Sequence, residues 1–273
     1  MKTTFARFFI TVLLFGITAC SGVTFTPSGD GTNSQNSTGP GAGPGPGPGG
    51  NQCDTNLGTT KELTKMLFIV DMSGSNQGSA GCTLGSNCTD PNKAMRAGSI
   101  SRFFQHYGNR TNFNWAFETF QGTGSTALIT SPAGSSIFGT ADQMAVAINT
   151  FKAGTDAGGT PYMAALNVAE QTIANDPDLT AKTNPQYIVV FMSDGQPDAG
   201  DSASTILSAV NTMVNLKPGK ITFSTVYYGT GDATAAGLLQ SMAQLGHGNF
   251  LNTSVNPTGL DFEISDLVVV PCP

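Results

Sequence analysis

Phe68-Ile69-Val70-Asp71-Met72-Ser73-Gly74-Ser75 is an apolar run that ends in a carboxylate and two hydroxyls with one glycine between them. The run begins at Lys65 and is apolar at odd and even positions alike. That is the mark of a strand covered on both faces, as in a parallel sheet. Gly74 lets the backbone turn tightly between Ser73 and Ser75. A second run of the same form, Val189-Val190-Phe191-Met192-Ser193-Asp194-Gly195, closes another buried strand on a carboxylate. Between them, Gly158-Gly159-Thr160-Pro161 opens a helix. In an open α/β sheet, ligands bind beyond the C-terminal ends of the strands. Asp71 and Asp194 therefore face one rim, and Thr160 reaches it from a third direction. Two carboxylates and three hydroxyls are hard oxygen donors, suited to Mg²⁺, Mn²⁺ or Ca²⁺ rather than Zn²⁺ or Cu²⁺.

Outward from these motifs the chain alternates strands and helices. Asp90-Pro91 reads as a helix start, with Asp90 the N-cap and Pro91 the first helical residue. The stripe Ala97, Ile100, Phe104 and Tyr107 follows. Phe113, Trp115, Phe117 and Thr119 alternate with Asn114, Ala116 and Glu118 as a strand, and Ala127–Thr130 reads as a short edge strand. Residues 141–151 are helical, with Met144, Val146, Ile148 and Phe151 partly periodic. Tyr162, Leu166, Ala169 and Ile173 stripe the helix opened at Thr160-Pro161. Residues 202–216 form a helix carrying Ile206, Val210 and Met213, and Ile221–Tyr228 a strand. Ala235, Leu238, Met242 and Leu245 mark a helix stopped at Gly246. Phe250-Leu251 reads as a last short strand, and Leu260–Val270 fits helix or strand equally. The fold class is α/β: a doubly wound, mostly parallel sheet with helices on both faces.

The order D-x-S-x-S, then T, then D resembles the metal-ion-dependent adhesion site of von Willebrand factor type A domains, over roughly residues 60–270. The resemblance implies a Rossmann-like sheet with one antiparallel edge strand. It implies that Asp71, Ser73, Ser75, Thr160 and Asp194 hold a divalent ion, directly or through water. It also implies a protein partner whose acidic side chain displaces one of those waters. Type A domains bring their termini together, so a Cys53–Cys272 clasp fits the resemblance. The loop 76–90 departs from the pattern, separating the Asp-x-Ser-x-Ser turn from the helix that usually follows promptly. If Cys82 and Cys88 bridge, it is a stiffened flap that shapes partner choice, blocks the site or plays no part.

The N-terminus carries a different message. Lys2 and Arg7 precede the apolar stretch Phe8–Ile17, as in a secretory signal spanning 1–19. Ile17-Thr18-Ala19-Cys20 resembles a bacterial lipobox, which makes Cys20 the lipidated first residue of a mature lipoprotein. Ser21 favours outer-membrane over inner-membrane sorting. Residues 20–50 are rich in Gly, Pro and Ser and have almost nothing apolar to bury, so they read as a disordered tether. The remainder, 51–273, is long enough for one domain. Setting Cys20 aside leaves Cys53, Cys82, Cys88 and Cys272, an even number suited to an oxidising compartment. Three pairings are open; Cys82 and Cys88 flank a short loop and are expected to bridge locally, and a four-cysteine zinc site is the remaining alternative.

The net charge of −6 and the lack of a basic stripe speak against nucleic-acid binding. Lipid is the expected link to a membrane; oligomeric state is not legible. Asp156 reads as a solvated loop residue, Trp115 as core, His106 and His247 as structural or solvated. A hydrolase built from Ser73 or Ser75 with His247 lacks a G-x-S-x-G elbow, so no enzyme is expected. The expected function is ligand binding by an envelope lipoprotein through a bound metal. The alternative is an envelope scaffold whose metal serves mainly for stability.

Overall fold

The computed structural model describes residues 62–77, 88–253 and 264. In chain order the elements are β1 (Thr64–Asp71), α1 (Ala94–Tyr107), β2 (Phe113–Gln121), β3 (Gly124–Ala127), α2 (Ala141–Ala153), α3 (Tyr162–Ala174), β4 (Gln186–Ser193), α4 (Ala203–Asn215), β5 (Ile221–Tyr227), α5 (Ala233–Leu245) and β6 (His247–Asn252).

Every residue of β1 is buried, as its unbroken apolar run requires. It lies between β2 and β4 and pairs in parallel with both. The full order is β3-β2-β1-β4-β5-β6. Only β3 runs antiparallel. The chain moves outward from β1 in one direction and then the other, which makes the sheet doubly wound. Helices α1 and α2 cover one face, where Phe68, Ile100, Phe103, Trp115, Phe117, Ile148 and Phe151 form one core layer. Helices α3, α4 and α5 cover the other face, over Ile69, Phe120, Leu166, Phe191, Val210, Phe223 and Leu239. The topological switch falls between β1 and β4, the two strands that end in Asp71 and Ser193.

Several elements differ from the sequence reading. The edge strand occupies Gly124–Ala127, not Ala127–Thr130. A two-residue turn at Gly122-Thr123, with Gly122 at φ +61°, sends the chain back earlier than the apolar pattern suggested. Strand β2 is buried along nearly its whole length, Glu118 included, because helices cover both of its faces. In α2 the buried set is Met144, Ala147, Ile148 and Phe151, while Val146 is 64% exposed. In α1 Phe103 takes the fully buried place expected of Phe104, and in α5 Leu239 takes that of Leu238.

Helix α1 does not begin at Pro91. Pro91–Lys93 is a short 3₁₀ turn, with Asn92 and Lys93 left-handed at φ 59° and 58°, and the α-helix starts at Ala94. Asp90 still acts as a cap, but across the kink. Its carboxylate accepts from the backbone N–H of Met95 at 2.7 Å and of Arg96 at 3.0 Å.

The signal segment, Cys20, the tether, most of the 76–90 loop and most of Leu260–Val270 lie outside the described residues. So do Cys53, Cys82 and Cys272; Cys88 is disulfide-bonded. Among the described residues, no helix is long and apolar enough to cross a membrane.

Candidate metal centre

The parallel register sets Val70 beside Met192, so the strand ends deliver Asp71 and Ser193 to the same point on the rim. Ser193 Oγ donates to Asp71 Oδ2 at 2.5 Å. The turn after β1 folds back so that the Ser73 N–H donates to Asp71 Oδ1 at 2.6 Å. Asn76 Nδ2 reaches the same oxygen at 3.4 Å. Ser73 Oγ and Ser75 Oγ lie 3.0 Å apart, and Ser75 Oγ donates to Asp194 Oδ1 at 2.9 Å. Four of the five expected residues, Asp71, Ser73, Ser75 and Asp194, thus form one hydrogen-bonded cluster.

Thr160 makes no hydrogen bond to this cluster among the described residues; only its loop reaches the turn. Its loop is stitched to the turn by Ala157 N–H to the Met72 carbonyl at 2.8 Å and Gly74 N–H to the Gly158 carbonyl at 3.0 Å. Gly158 sits at φ +72°, and a Cβ there would strike the Gly122 backbone. Asp198 holds Thr160 in place, accepting from its N–H at 2.8 Å and returning its own N–H to the Thr160 carbonyl at 3.1 Å.

Burial and the nearby charge of Asp194 push the Asp71 carboxyl up to about 7, despite the hydrogen bonds from Ser193 and Ser73. Burial likewise raises Asp194, against hydrogen bonds from Thr89 and Ser75 and the charge of Arg96. Thr89 Oγ1 donates to Asp194 Oδ2, so both oxygens of that carboxylate carry a hydroxyl. Gly229 lies against the Asp194 carbonyl, where any Cβ would collide.

Beneath the rim is a buried ionic frame. Arg96 is fully buried. Its guanidinium donates to Asp90 at 2.7 Å, to Asp156 at 2.9 Å and to the Asp71 backbone carbonyl. Lys93 Nζ stands 3.1 Å from Asp156 and donates to the Gly154 carbonyl at 2.7 Å. Asp156 is therefore not a solvated loop residue. It is 5% exposed and ion-paired twice, because its loop packs under the Asp71 turn. On the other side, Tyr228 OH donates to Asn76 Oδ1 at 2.9 Å, fixing the amide that reaches Asp71.

Sequence reasoning missed Asn76, Thr89, Arg96 and Asp198 as parts of the site. Arg96 left a signal: a cation beside the apolar stripe of α1, in a chain with only 11% charged residues. The histidines stand elsewhere. His106 is in the last turn of α1, and His247 pairs with Phe223 near the start of β5, at the end of the sheet away from the rim.

Among the described residues, no three His, Cys, Asp or Glu side chains come together as a metal cluster. The centre is instead two carboxylates among hydroxyls, a donor set that fits a hard divalent cation. Ser73, Ser75 and Asp194 present oxygens that could hold such an ion. Asp71, which accepts from the Ser73 N–H and the Asn76 amide, also orients the turn around it.

No protein-family profile matches the chain, and no curated protein matches it. Solved structures do share its architecture. The PilB minor pilin of Streptococcus sanguinis is 12% identical with a TM-score of 0.51, covering 76% of this chain and 60% of the pilin. The pilus adhesin SpaC of Lactobacillus rhamnosus GG is 14% identical with a TM-score of 0.52, covering 74% of this chain and 30% of the adhesin. The von Willebrand factor domain of the pilus tip protein Mfa5 from Porphyromonas gingivalis is 14% identical at a TM-score of 0.49, over 74% and 94%. The fold is a doubly wound, mostly parallel, Rossmann-like α/β fold. At these identities the likeness concerns the fold alone, and the chain spans 60% or less of the pilin and the adhesin.

Proposed function

We propose that this protein binds an acidic partner through a divalent ion, Mg²⁺ or Mn²⁺ or Ca²⁺, held at the sheet rim. The observation that carries the reading is the cluster of Asp71, Ser73, Ser75 and Asp194 at the switch point between β1 and β4. Two buried carboxylates set side by side favour a cation, since the Arg96 charge beneath the rim is already paired with Asp90 and Asp156. When bound, the ion supplies a coordination position open to a partner's carboxylate. The chain's own residues do the rest. Asp71 holds the turn, the two serines and Asp194 offer oxygens, and the Asp198-held loop brings Thr160 to the third side. The fold shared with a pilus adhesin and a minor pilin supports an adhesive role at a cell surface. In this reading residues 51–273 are the binding domain, 20–50 the tether, and lipid on Cys20 the anchor in a bacterial outer membrane.

The test is capture by the full chain of a surface bearing free carboxylates, with Mg²⁺ and with EDTA, for the native protein and Asp71→Ala. Capture that needs both Mg²⁺ and Asp71 is the expected result. Capture indifferent to both, from a folded variant, ends the proposal. The burial of Asp71 among structural hydrogen bonds favours one second reading, a scaffold whose metal serves stability. That reading predicts metal-dependent melting without metal-dependent capture.

A further inference from the structure

Thr89 stands to Asp194 as Ser75 does. Ser75 Oγ donates to one oxygen of the carboxylate at 2.9 Å, and Thr89 Oγ1 donates to the other. The position of Thr89 is fixed by the same turn. Its Oγ1 lies 3.1 Å from the Ser75 carbonyl, its N–H donates to that carbonyl at 3.4 Å, and Asp90 N–H donates to the Asn76 carbonyl at 3.3 Å. Thr89 is thereby held on the rim beside Ser75. Asp90, the next residue, is locked to Arg96, whose guanidinium also holds the Asp71 carbonyl. The hydroxyl is thus tied to the cluster on both sides, through the Ser75 backbone and through the buried ionic frame.

A hydroxyl that donates its proton to a carboxylate keeps its lone pairs for a cation. Ser75 presents that chemistry beside Asp194, and so does Thr89. We propose that Thr89 is a further residue of the metal centre, a fourth hydroxyl that orients Asp194 and supports the bound ion. The inference rests on the metal reading above and deepens it. It adds to the Asp-x-Ser-x-Ser, Thr and Asp positions a ligand-bearing residue from outside all three motifs. Thr89 lies eighteen positions after Asp71 and is brought in only by the path of the chain. Removing a hydrogen-bonding partner of a metal ligand commonly lowers affinity by about 10–100-fold.

The test is Mn²⁺ binding to the full chain, read by the loss of the free-ion paramagnetic resonance signal, for the native protein, Thr89→Val, Thr89→Ser and Asp71→Ala. Valine keeps the shape of threonine and removes the hydroxyl; serine keeps the hydroxyl. Circular dichroism and melting of each metal-free protein show that the folds are intact. Weakening by about 10-fold or more in Thr89→Val, with Thr89→Ser within a few-fold of native, supports the proposal. Native or tighter binding by Thr89→Val, while Asp71→Ala binds nothing, overturns it and leaves the metal reading standing. Absence of Mn²⁺ binding in the native protein overturns both.

Discussion

Asp156 joins the Arg96 guanidinium and the Lys93 ammonium inside the protein, and truncating it removes the carboxylate paired with Lys93 and one of the two paired with Arg96. Breaking one side of a buried ion pair costs about 3–5 kcal/mol. Asp156→Ala therefore lowers the free energy of unfolding by that amount in a denaturant titration, more than a surface carboxylate would. Glu118 makes the opposite case. Both its carboxyl oxygens lack a hydrogen-bond partner among the described residues, and burial pushes its carboxyl well above the usual range. The folded pKa lies above the unfolded one, so the folded chain holds a proton that the unfolded chain releases. The stabilising contribution is full below the unfolded value near 4.5 and is lost as pH rises toward the folded one. The slope is at most about 1.4 kcal/mol per pH unit. Glu118→Gln removes it, so melting curves from pH 5 to 8 show native stability declining relative to the variant. Neither role was visible beforehand. A residue type does not reveal whether a partner from a distant loop meets it, which is why Asp156 read as solvated.

Helices and strands were legible where one periodicity governed a whole element. Tyr162, Leu166, Ala169 and Ile173 are all fully buried along α3, because α3 packs one stripe onto the sheet. In α2 the apolar residues fall on two overlapping stripes, and packing chose the one that leaves Val146 in water. The beginning of α2 rests on local chemistry instead. Thr140 Oγ1 accepts from Gln143 N–H at 3.4 Å, and Gln143 Oε1 accepts from Thr140 N–H at 2.9 Å, a reciprocal capping box. Thr140→Ala removes half of it and costs about 1 kcal/mol, measurable as a lowered denaturation midpoint with unchanged slope. Strand β3, made of Gly, Ser, Thr and Ala, carries almost no apolar signal. Its existence follows from the turn at Gly122, which is why its place was misjudged.

At the scale of the molecule, the alternation of strands and helices was enough for the class of fold, and the two runs ending in Asp71 and Asp194 for the rim on which both stand. A parallel sheet buries its central strands and leaves their C-terminal ends pointing to one side. Most of the surrounding frame was not legible, because Arg96, Thr89 and Asp198 meet their partners only through tertiary folding. The central claim is that this rim binds a divalent ion. It is tested most directly by the thermal midpoint of the full chain in EDTA and in Mg²⁺ or Mn²⁺, beside Asp71→Ala. An ion at ten times its dissociation constant adds about 1.4 kcal/mol, a rise of about 3–6 °C for a domain of this size. The account predicts that rise in the native protein and none in the variant. Equal midpoints with and without metal in the native protein, at millimolar Mg²⁺ and Mn²⁺ alike, would contradict it.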